Sequence, residues 1–228
     1  MIKVAILVDG AFYRKRANHL FGQKTASERA TELYDYCQRH LHQNNVDTYL
    51  YRIFYYDCPP SDKNIFHPYL RKNINLKKTD LYVWMNSFIN ELKSKRKFAI
   101  RLGRLSDTET RYILKPDVVK LLFTDKITID EITESDFMLD IKQKTIDMKL
   151  GTDIASMALK KQVDQIILIA GDSDFVPAAK LARREGVDFI LDPMGHPISD
   201  DLNEHIDGIR SKIHSVKLKQ YISNNQDR

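Results

Sequence analysis

The chain has 228 residues, 43% of them hydrophobic, and a formal net charge of +5 with an isoelectric point near 9.0. This length fits one α/β domain with insertions, and the mild positive charge permits an anionic partner without requiring one. An uninterrupted apolar stretch of roughly 18 residues and a signal-peptide pattern are both missing, so neither membrane insertion nor export is expected. The cysteines, Cys37 and Cys58, lack metal-ligand spacing, which favours a reducing, cytoplasmic setting.

The N-terminal part of the chain alternates strand and helix patterns. Residues 2–8 form a short apolar run, typical of a strand buried on both faces, that stops at Asp9. Helical patterns follow to residue 42, with a break near residues 22–26 and a helix N-cap predicted at Ser27, outside any capping box. β-Branched and aromatic residues then predict a second strand over residues 48–56.

The middle of the chain is less regular. Apolar spacing predicts a helix over residues 81–95, and alternation predicts one strand over residues 98–105. Residues 59–80 and 106–145 are longer than a minimal domain requires, so we interpret them as insertions. Within the second insertion, residues 115–123 fit either a helix or a strand.

The C-terminal part returns to a βαβ pattern. A helix begins near Asp147, a buried strand follows from residue 165 to Gly171, and a helix and a short strand extend to residue 191. This alternation predicts an α/β fold with a mostly parallel sheet and helices on both faces. We place the domain at residues 1–210 and a C-terminal tail at 211–228, the last six residues of which should fray.

Acidic residues come at the ends of two predicted strands. Asp9 ends the first, and Asp172 and Asp174 follow the strand from residue 165, so the three can meet where parallel strands deliver ligands. Oxygen ligands of this kind suit Mg²⁺ or Mn²⁺. Asp153 borders the buried stripe of its helix and requires a partner, whereas Asp147 reaches the same site only if it lies at the helix start.

Ordinary structural roles compete with this interpretation. Asp147 and Asp174 are good helix N-cap residues, and an aspartate followed by glycine, as at Asp9, is common in strand-to-loop turns. His40 and His42 make a poor chelating pair, being two positions apart on a predicted helix. His196 and His205 lie downstream of the strand ends and could approach the site, although a surface role is favoured. Each acid has an ordinary alternative, but the combination favours a metal site.

Several motifs, taken together, resemble the NYN domain of the LabA-like, DUF88 type. They are Val8-Asp9-Gly10, Arg101-Leu-Gly-Arg104, Ile146-Asp147-Met-Lys149-Leu150 with Asp153, and Ala170-Gly-Asp-Ser-Asp-Phe175. The resemblance implies a PIN-like, three-layer α/β/α domain that cleaves RNA with Mg²⁺ or Mn²⁺. By position, it implies that the catalytic and metal-binding acids are Asp9, Asp153, Asp172 and Asp174. It also implies supporting roles for Asp147, Lys149 and Ser173.

Two alternatives to a ribonuclease stay open. A haloacid-dehalogenase-like phosphatase would also end its first strand in an aspartate, although the usual Asp-x-Asp is replaced here by Asp9-Gly-Ala. A non-catalytic RNA-binding or regulatory module is favoured by Phe12, because the family commonly has asparagine there. For RNA contacts we select Lys97, Arg101 and Arg104, although a merely solvated basic surface is the simpler explanation of such charges. The sequence leaves open whether the chain forms a homo-oligomer.

Overall fold

A computed structural model describes residues 1–43, 46–106 and 110–213. The predicted frayed segment at the end of the tail lies outside these residues. The chain divides into two compact units. The first comprises Met1–Asp57, Ser87–Gly103 and the described residues from Thr145 onward, and the second comprises Cys58–Asn86 and Arg104–Lys144.

Helices and strands alternate through most of the described chain. The helices are α1 (Gly10–Phe21), α2 (Ala26–Leu41), α3 (Asp80–Ser94), α4 (Pro116–Leu122), α5 (Ile146–Leu159), α6 (Val176–Arg184) and α7 (Asp200–Glu204). The strands are β1 (Ile2–Asp9), β2 (Thr48–Asp57), β3 (Asn64–His67), β4 (Lys72–Asn75), β5 (Phe98–Leu102), β6 (Arg104–Leu105), β7 (Arg111–Leu114), β8 (Phe137–Asp140), β9 (Gln143–Lys144), β10 (Gln165–Ile169), β11 (Asp188–Asp192) and β12 (Gly208–Ile209).

The first unit is built on a six-stranded, fully parallel sheet in the order β12-β11-β10-β1-β2-β5. The chain winds outward from β1 to β2 and β5, and then continues on the other side of β1 with β10, β11 and β12. The strand order therefore reverses between β1 and β10, which is where such sheets open a crevice for ligands. Helices flank the sheet, and the predicted three-layer α/β/α fold is confirmed.

The two central strands form the core of this sheet. Residues 4–8 of β1 and 166–169 of β10 are completely buried, as expected for strands covered on both faces. They pair in register from Val4 opposite Gln165 to Val8 opposite Ile169. Burial of each such aliphatic side chain contributes about 1.5–3 kcal/mol, so the ends of these strands are firmly fixed.

The predicted N-cap at Ser27 is wrong. Helix α2 is capped by Thr25, whose hydroxyl accepts a hydrogen bond from the Glu28 backbone N–H at 3.3 Å. The Glu28 carboxylate accepts one in return from the Thr25 N–H at 2.9 Å. This capping box satisfies two backbone donors at once, whereas a start at Ser27 lacks the reciprocal bond.

The single strand predicted over residues 98–105 is two strands. β5 ends at Leu102, and the Gly103 N–H donates to the Asp57 carbonyl at 2.8 Å. The next strand, β6, pairs antiparallel with β9 in the second unit. Apolar residues lie on both sides of Gly103, at Leu102 and Leu105, which is why the sequence pattern predicts one strand.

The second unit contains most of the residues interpreted as insertions. Its described residues form three antiparallel strand pairs, β3–β4, β6–β9 and β7–β8, and the helix α4. Residues 116–122 therefore form a helix and not a strand. The His67 ring of β3 lies 4.3 Å from the Tyr112 ring and 5.3 Å from the Phe137 ring, centroid to centroid. These contacts join the β3–β4 pair to the β7–β8 pair through aromatic packing.

Candidate functional site

An open cleft of about 340 Å³ lies in the first unit, where the carboxyl ends of β1 and β10 meet. Its lining residues are Asp9, Phe12, Gly171, Asp172, His196 and Ser199. The cleft therefore coincides with the reversal of strand order, and it brings together acids that are more than 160 positions apart in the sequence.

Asp9 has two roles at this edge of the sheet. It is the last residue of β1 and the N-cap of α1, where its Oδ1 accepts a hydrogen bond from the Phe12 N–H at 3.1 Å. Burial raises the pKa of Asp9, and the negative charge of Asp147 raises it further, against the lowering effect of the Phe12 N–H. The carboxylate is thus fixed in direction and lies near enough to Asp147 to be affected by its charge.

Asp172 and Asp174 follow β10 in an exposed turn. The Asp172 Oδ1 accepts a hydrogen bond from the Asp174 N–H at 3.1 Å, which fixes the turn before α6 begins. Asp147 lies in the first turn of α5, and its pKa is raised by burial and then by the charges of Asp174 and Asp172. The structure therefore brings Asp9, Asp147, Asp172 and Asp174 into one electrostatic neighbourhood.

Asp153 is placed differently from these acids. It lies almost two turns after Asp147 on α5, and its Oδ2 accepts hydrogen bonds from the Tyr56 hydroxyl at 2.8 Å and from the Arg101 Nε at 2.9 Å. Its charge is compensated by Arg101, and among the described residues it is not part of the cleft lining. The partner that sequence analysis required for Asp153 is this arginine and tyrosine pair.

The ordinary structural roles weighed for these acids are resolved one by one. Thr145 is the N-cap residue of α5 and Phe175 that of α6, so neither Asp147 nor Asp174 occupies an N-cap position. Asp9 is an N-cap and a cleft residue at the same time. Lys149 is exposed on the first turn of α5, and the side chain of Ser173 lies outside the described part of the structure.

The acids provide a donor set that suits a hard divalent cation, although they do not form a closed cage. In residues 1–43, 46–106 and 110–213, no three His, Cys, Asp or Glu side chains are close enough to hold a metal ion together. Mg²⁺ is commonly bound by only one or two carboxylates and keeps several waters. Burial, and after it the charges of neighbouring acids, raises the pKa of Asp9 and of Asp147, and a bound cation would oppose both effects.

The basic residues selected for RNA contacts lie in three different settings. Lys97 lies just before the amino end of β5, whereas the cleft lies at the carboxyl ends of the strands. Its ammonium is 3.7 Å from the centre of the Tyr49 ring and donates a hydrogen bond to the Leu50 carbonyl. Arg101 is near the carboxyl end of β5 and pairs with Asp153. Arg104 is exposed on β6 in the second unit.

Two aromatic residues of the cleft were not assigned to the site from sequence. Phe12 entered sequence analysis only as a missing asparagine, and His196 as a residue that could approach the site but for which a surface role was favoured. Both line the cleft with Asp9 and Asp172. The available signals were the position of Phe12 three residues after Asp9 and the position of His196 just after a predicted strand.

The sequence matches the NYN domain family over residues 3–207. The chain belongs to the NYN domain family. NYN domains have a PIN-like nuclease fold, which agrees with the parallel sheet and the acids at its carboxyl edge. A comparison with curated proteins found no match. Among the described residues, no helix has the length and apolar character needed to cross a bilayer.

One solved structure similar to this NYN domain is the crystal structure of VPA0982, a protein of unknown function from Vibrio parahaemolyticus RIMD 2210633. The similarity has a TM-score of 0.47 at 15% sequence identity, and it covers 92% of this chain and 93% of the other.

Proposed function

We propose that this NYN domain is a divalent-cation-dependent ribonuclease of the LabA-like type, with its active site in the cleft between β1 and β10. The observation that supports the proposal most is the meeting of Asp9 and Asp172 in one cleft, with Asp147 and Asp174 near enough to perturb each other. The sequence motifs around these same four acids support the LabA-like assignment.

We assign cation binding to Asp9 and Asp172, because both line the cleft and neither has a cationic side chain among its described hydrogen-bond partners. Asp147 and Asp174 add negative charge near these two acids and can accept hydrogen bonds from ordered water. A bound Mg²⁺ or Mn²⁺ would stabilise the charge that develops on the phosphoryl oxygens.

The proposed reaction is hydrolysis of an RNA phosphodiester. A water oxygen forms a bond to phosphorus and gives up one proton, the bond from phosphorus to the leaving ribose oxygen breaks, and one proton is taken up by that oxygen, so the net reaction consumes one water. The carboxylates of the cleft orient the water and exclude other anions. Carboxylates alone repel a polyanion, so the cation is required for the phosphate to approach them.

Asp153 has a supporting role in this proposal. Its carboxylate holds the Arg101 guanidinium, which also lies over the Phe54 ring at 5.2 Å from the ring centre. Arg101 retains exposed surface and presents a planar donor that suits phosphate. We therefore assign Arg101 to an RNA phosphate contact and Asp153 to positioning the Arg101 guanidinium.

The cytoplasmic location and the self-association of the chain stay predictions.

The test is cleavage of single-stranded RNA by the purified chain with Mg²⁺, with Mn²⁺ and with a chelator. We expect cleavage with either cation and none with the chelator. Asp172→Asn should lower the rate at least about a hundredfold, since an electrostatic contact to the reacting group commonly contributes that much.

The matched control is Asp47→Asn, which makes the same chemical change at an exposed residue just before the amino end of β2. The cleft lies at the opposite, carboxyl ends of the strands. This variant should cleave at the wild-type rate. If Asp172→Asn retains full cleavage, the assignment of the active site is wrong. If the wild-type chain binds RNA but forms no product with any divalent cation, the protein is a binding module.

A further inference from the structure

Two aromatic rings line the same cleft as the acids. Phe12 on α1 and His196 in the loop after β11 meet edge to face, with ring centroids 6.2 Å apart and planes inclined by 67°. This is a favoured aromatic geometry. Phe12 is half-buried and His196 is exposed, so both rings keep surface that a ligand can reach. The cleft thus has an aromatic wall beside its carboxylates.

The Phe12 ring rests on the backbone at the end of β10. A Cβ atom at residue 171 would lie 2.4 Å from the Phe12 Cε2, which is closer than two carbon atoms can approach. Glycine at position 171 therefore makes room for the ring. Because Asp172 follows directly, the chain places an aromatic surface and a carboxylate at adjacent positions.

Hydrogen bonds to the backbone hold the loop that carries His196. The His196 N–H donates to the Pro193 carbonyl, the Met194 N–H donates to the Asp192 Oδ1, and the Arg16 Nη2 donates to the Met194 carbonyl, each at 2.8 Å. These bonds tie the turn both to β11 and to α1. The His196 ring is thus presented on a fixed support, although the ring itself is exposed.

We propose that the Phe12–His196 wall is a stacking site for an unpaired nucleobase, formed where the family commonly has asparagine at position 12. The inference rests on the proposed ribonuclease function and adds a base-binding site to it. Aromatic side chains bind bases through their faces without requiring a particular sequence. In a duplex the base faces are covered by neighbouring pairs, so this contact requires an unpaired nucleotide.

The chemistry of the wall favours a base over another apolar ligand. A phosphodiester held near Asp9 and Asp172 carries a base on each side of the sugar–phosphate chain, and the two rings offer the neighbouring apolar surface. A protein segment would lack the phosphate that the acid and cation pair recognises. The wall and the acids together therefore fit a nucleotide unit.

The decisive measurement is binding by the full chain with Ca²⁺ in place of Mg²⁺, because Ca²⁺ is a hard cation that takes the same oxygen ligands, with electrophoresis showing that the probe is intact after each measurement. The probes are a fluorescent hexauridylate and an abasic ribose–phosphate hexamer with equal charge. We expect the wild-type chain to bind the hexauridylate about fivefold or more tightly than the abasic hexamer, as one stacked base contributes. A G·C-rich RNA hairpin, which stays paired under these conditions, should bind more weakly than the single strand, because its base faces are covered.

Three substitutions separate stacking from simple packing. Phe12→Leu keeps apolar bulk but removes the ring. The two hexamers should then bind with nearly equal affinity, a ratio of dissociation constants of about one. Phe12→Trp keeps a ring and should retain the preference. Gly171→Ala should reproduce the effect of Phe12→Leu, because the added methyl group displaces the Phe12 ring. Circular dichroism would establish that each variant is folded.

The outcomes for stacking and for catalysis are distinguishable. If Phe12→Leu keeps the wild-type preference, or if the wild-type chain shows no preference, the stacking site is wrong whether or not the chain cleaves RNA. If the preference is present and depends on Phe12 but no cation supports cleavage, the stacking site stands and the ribonuclease assignment is wrong.

Discussion

Four neighbouring strands of the sheet in the first unit have an aspartate at or just beyond the carboxyl end. Asp57 ends β2, Asp9 ends β1, Asp172 follows β10 and Asp192 ends β11. The outer pair, Asp57 and Asp192, is completely buried, whereas the inner pair, Asp9 and Asp172, lines the cleft. Residues of one type at equivalent places in a sheet therefore have different environments.

Protein groups compensate the outer acids. Asp57 pairs with Arg14 and accepts a hydrogen bond from the Tyr55 hydroxyl at 2.7 Å. Asp192 accepts hydrogen bonds from the Tyr36 hydroxyl at 2.5 Å and from the His40 Nε2 at 2.8 Å. A buried carboxylate requires such partners, because its desolvation is otherwise too unfavourable.

The inner acids have weaker partners. Asp9 and Asp172 each accept a hydrogen bond from a backbone N–H, and both face the crevice between β1 and β10. At this point the chain leaves β1 and β10 for opposite sides of the sheet order, so the crevice stays open. The comparison indicates that the outer acids stabilise the fold and that the inner acids are available to a ligand.

The largest expected effect on stability is at Asp57. Asp57→Ala should lower the free energy of unfolding by about 3 kcal/mol, because it leaves Arg14 without its buried partner. Urea denaturation followed by circular dichroism would measure the change. Asp172→Ala is the matched control at an inner position, and an equal loss of stability there would remove the distinction between the two pairs.

The buried His40 provides a pH test of the outer pair. Burial lowers the pKa of His40 from its usual value of 6.5, although the hydrogen bond with Asp192 opposes this shift. Below pH 6.5 the unfolded chain takes up a proton that the folded chain does not, so stability falls as pH falls, by at most about 1.4 kcal/mol per pH unit. His40→Gln should lose this contribution to the slope in denaturation curves measured between pH 7 and pH 5. An unchanged slope would contradict the burial of a neutral histidine.

A smaller effect is expected at Asp153, which resembles the outer acids in its partners but is half-buried. Asp153→Asn weakens the contacts with Arg101 and Tyr56, and we expect a loss of about 1 kcal/mol in unfolding free energy. The increase in melting temperature on adding Mg²⁺ should match that of the wild type. Loss of that increase in Asp153→Asn would instead make Asp153 a cation ligand.

The smallest change in intrinsic stability is expected at Asp172. Because its carboxylate is exposed, Asp172→Asn should change the unfolding free energy in chelator by no more than about 0.5 kcal/mol. A cation that binds the folded state stabilises it by mass action, so Mg²⁺ should raise the melting temperature of the wild type but not of Asp172→Asn. Equal responses of the two proteins would place the cation elsewhere.

Much of the sheet could be predicted from the sequence. The apolar runs before Asp9 and Gly171 give β1 and β10 because a strand buried on both faces needs apolar side chains at every position. Local rules were less successful at Thr25 and Gly103. A capping box and a strand break depend on hydrogen-bond partners that competing local patterns obscure.

The candidate site could be predicted only in part. Asp57 and Asp192 carry the same sequence signal as Asp9, since each comes at the end of a predicted strand, yet both are internal ion-pair or hydrogen-bond partners. Asp153 and Asp147 lie on one helix, and only the fold shows that Asp153 bonds Arg101 whereas Asp147 interacts with Asp172 and Asp174.

The sequence by itself determined the parallel α/β architecture, the acids at the strand ends and the resemblance to NYN domains. The tertiary structure decided which acids meet, which of them pair with Arg14 or Arg101 or accept a hydrogen bond from His40, and that Phe12 and His196 border the cleft. The reason is physical: strand periodicity is a local property of the chain, whereas the charge state and accessibility of a carboxylate depend on groups that folding brings to it from distant positions.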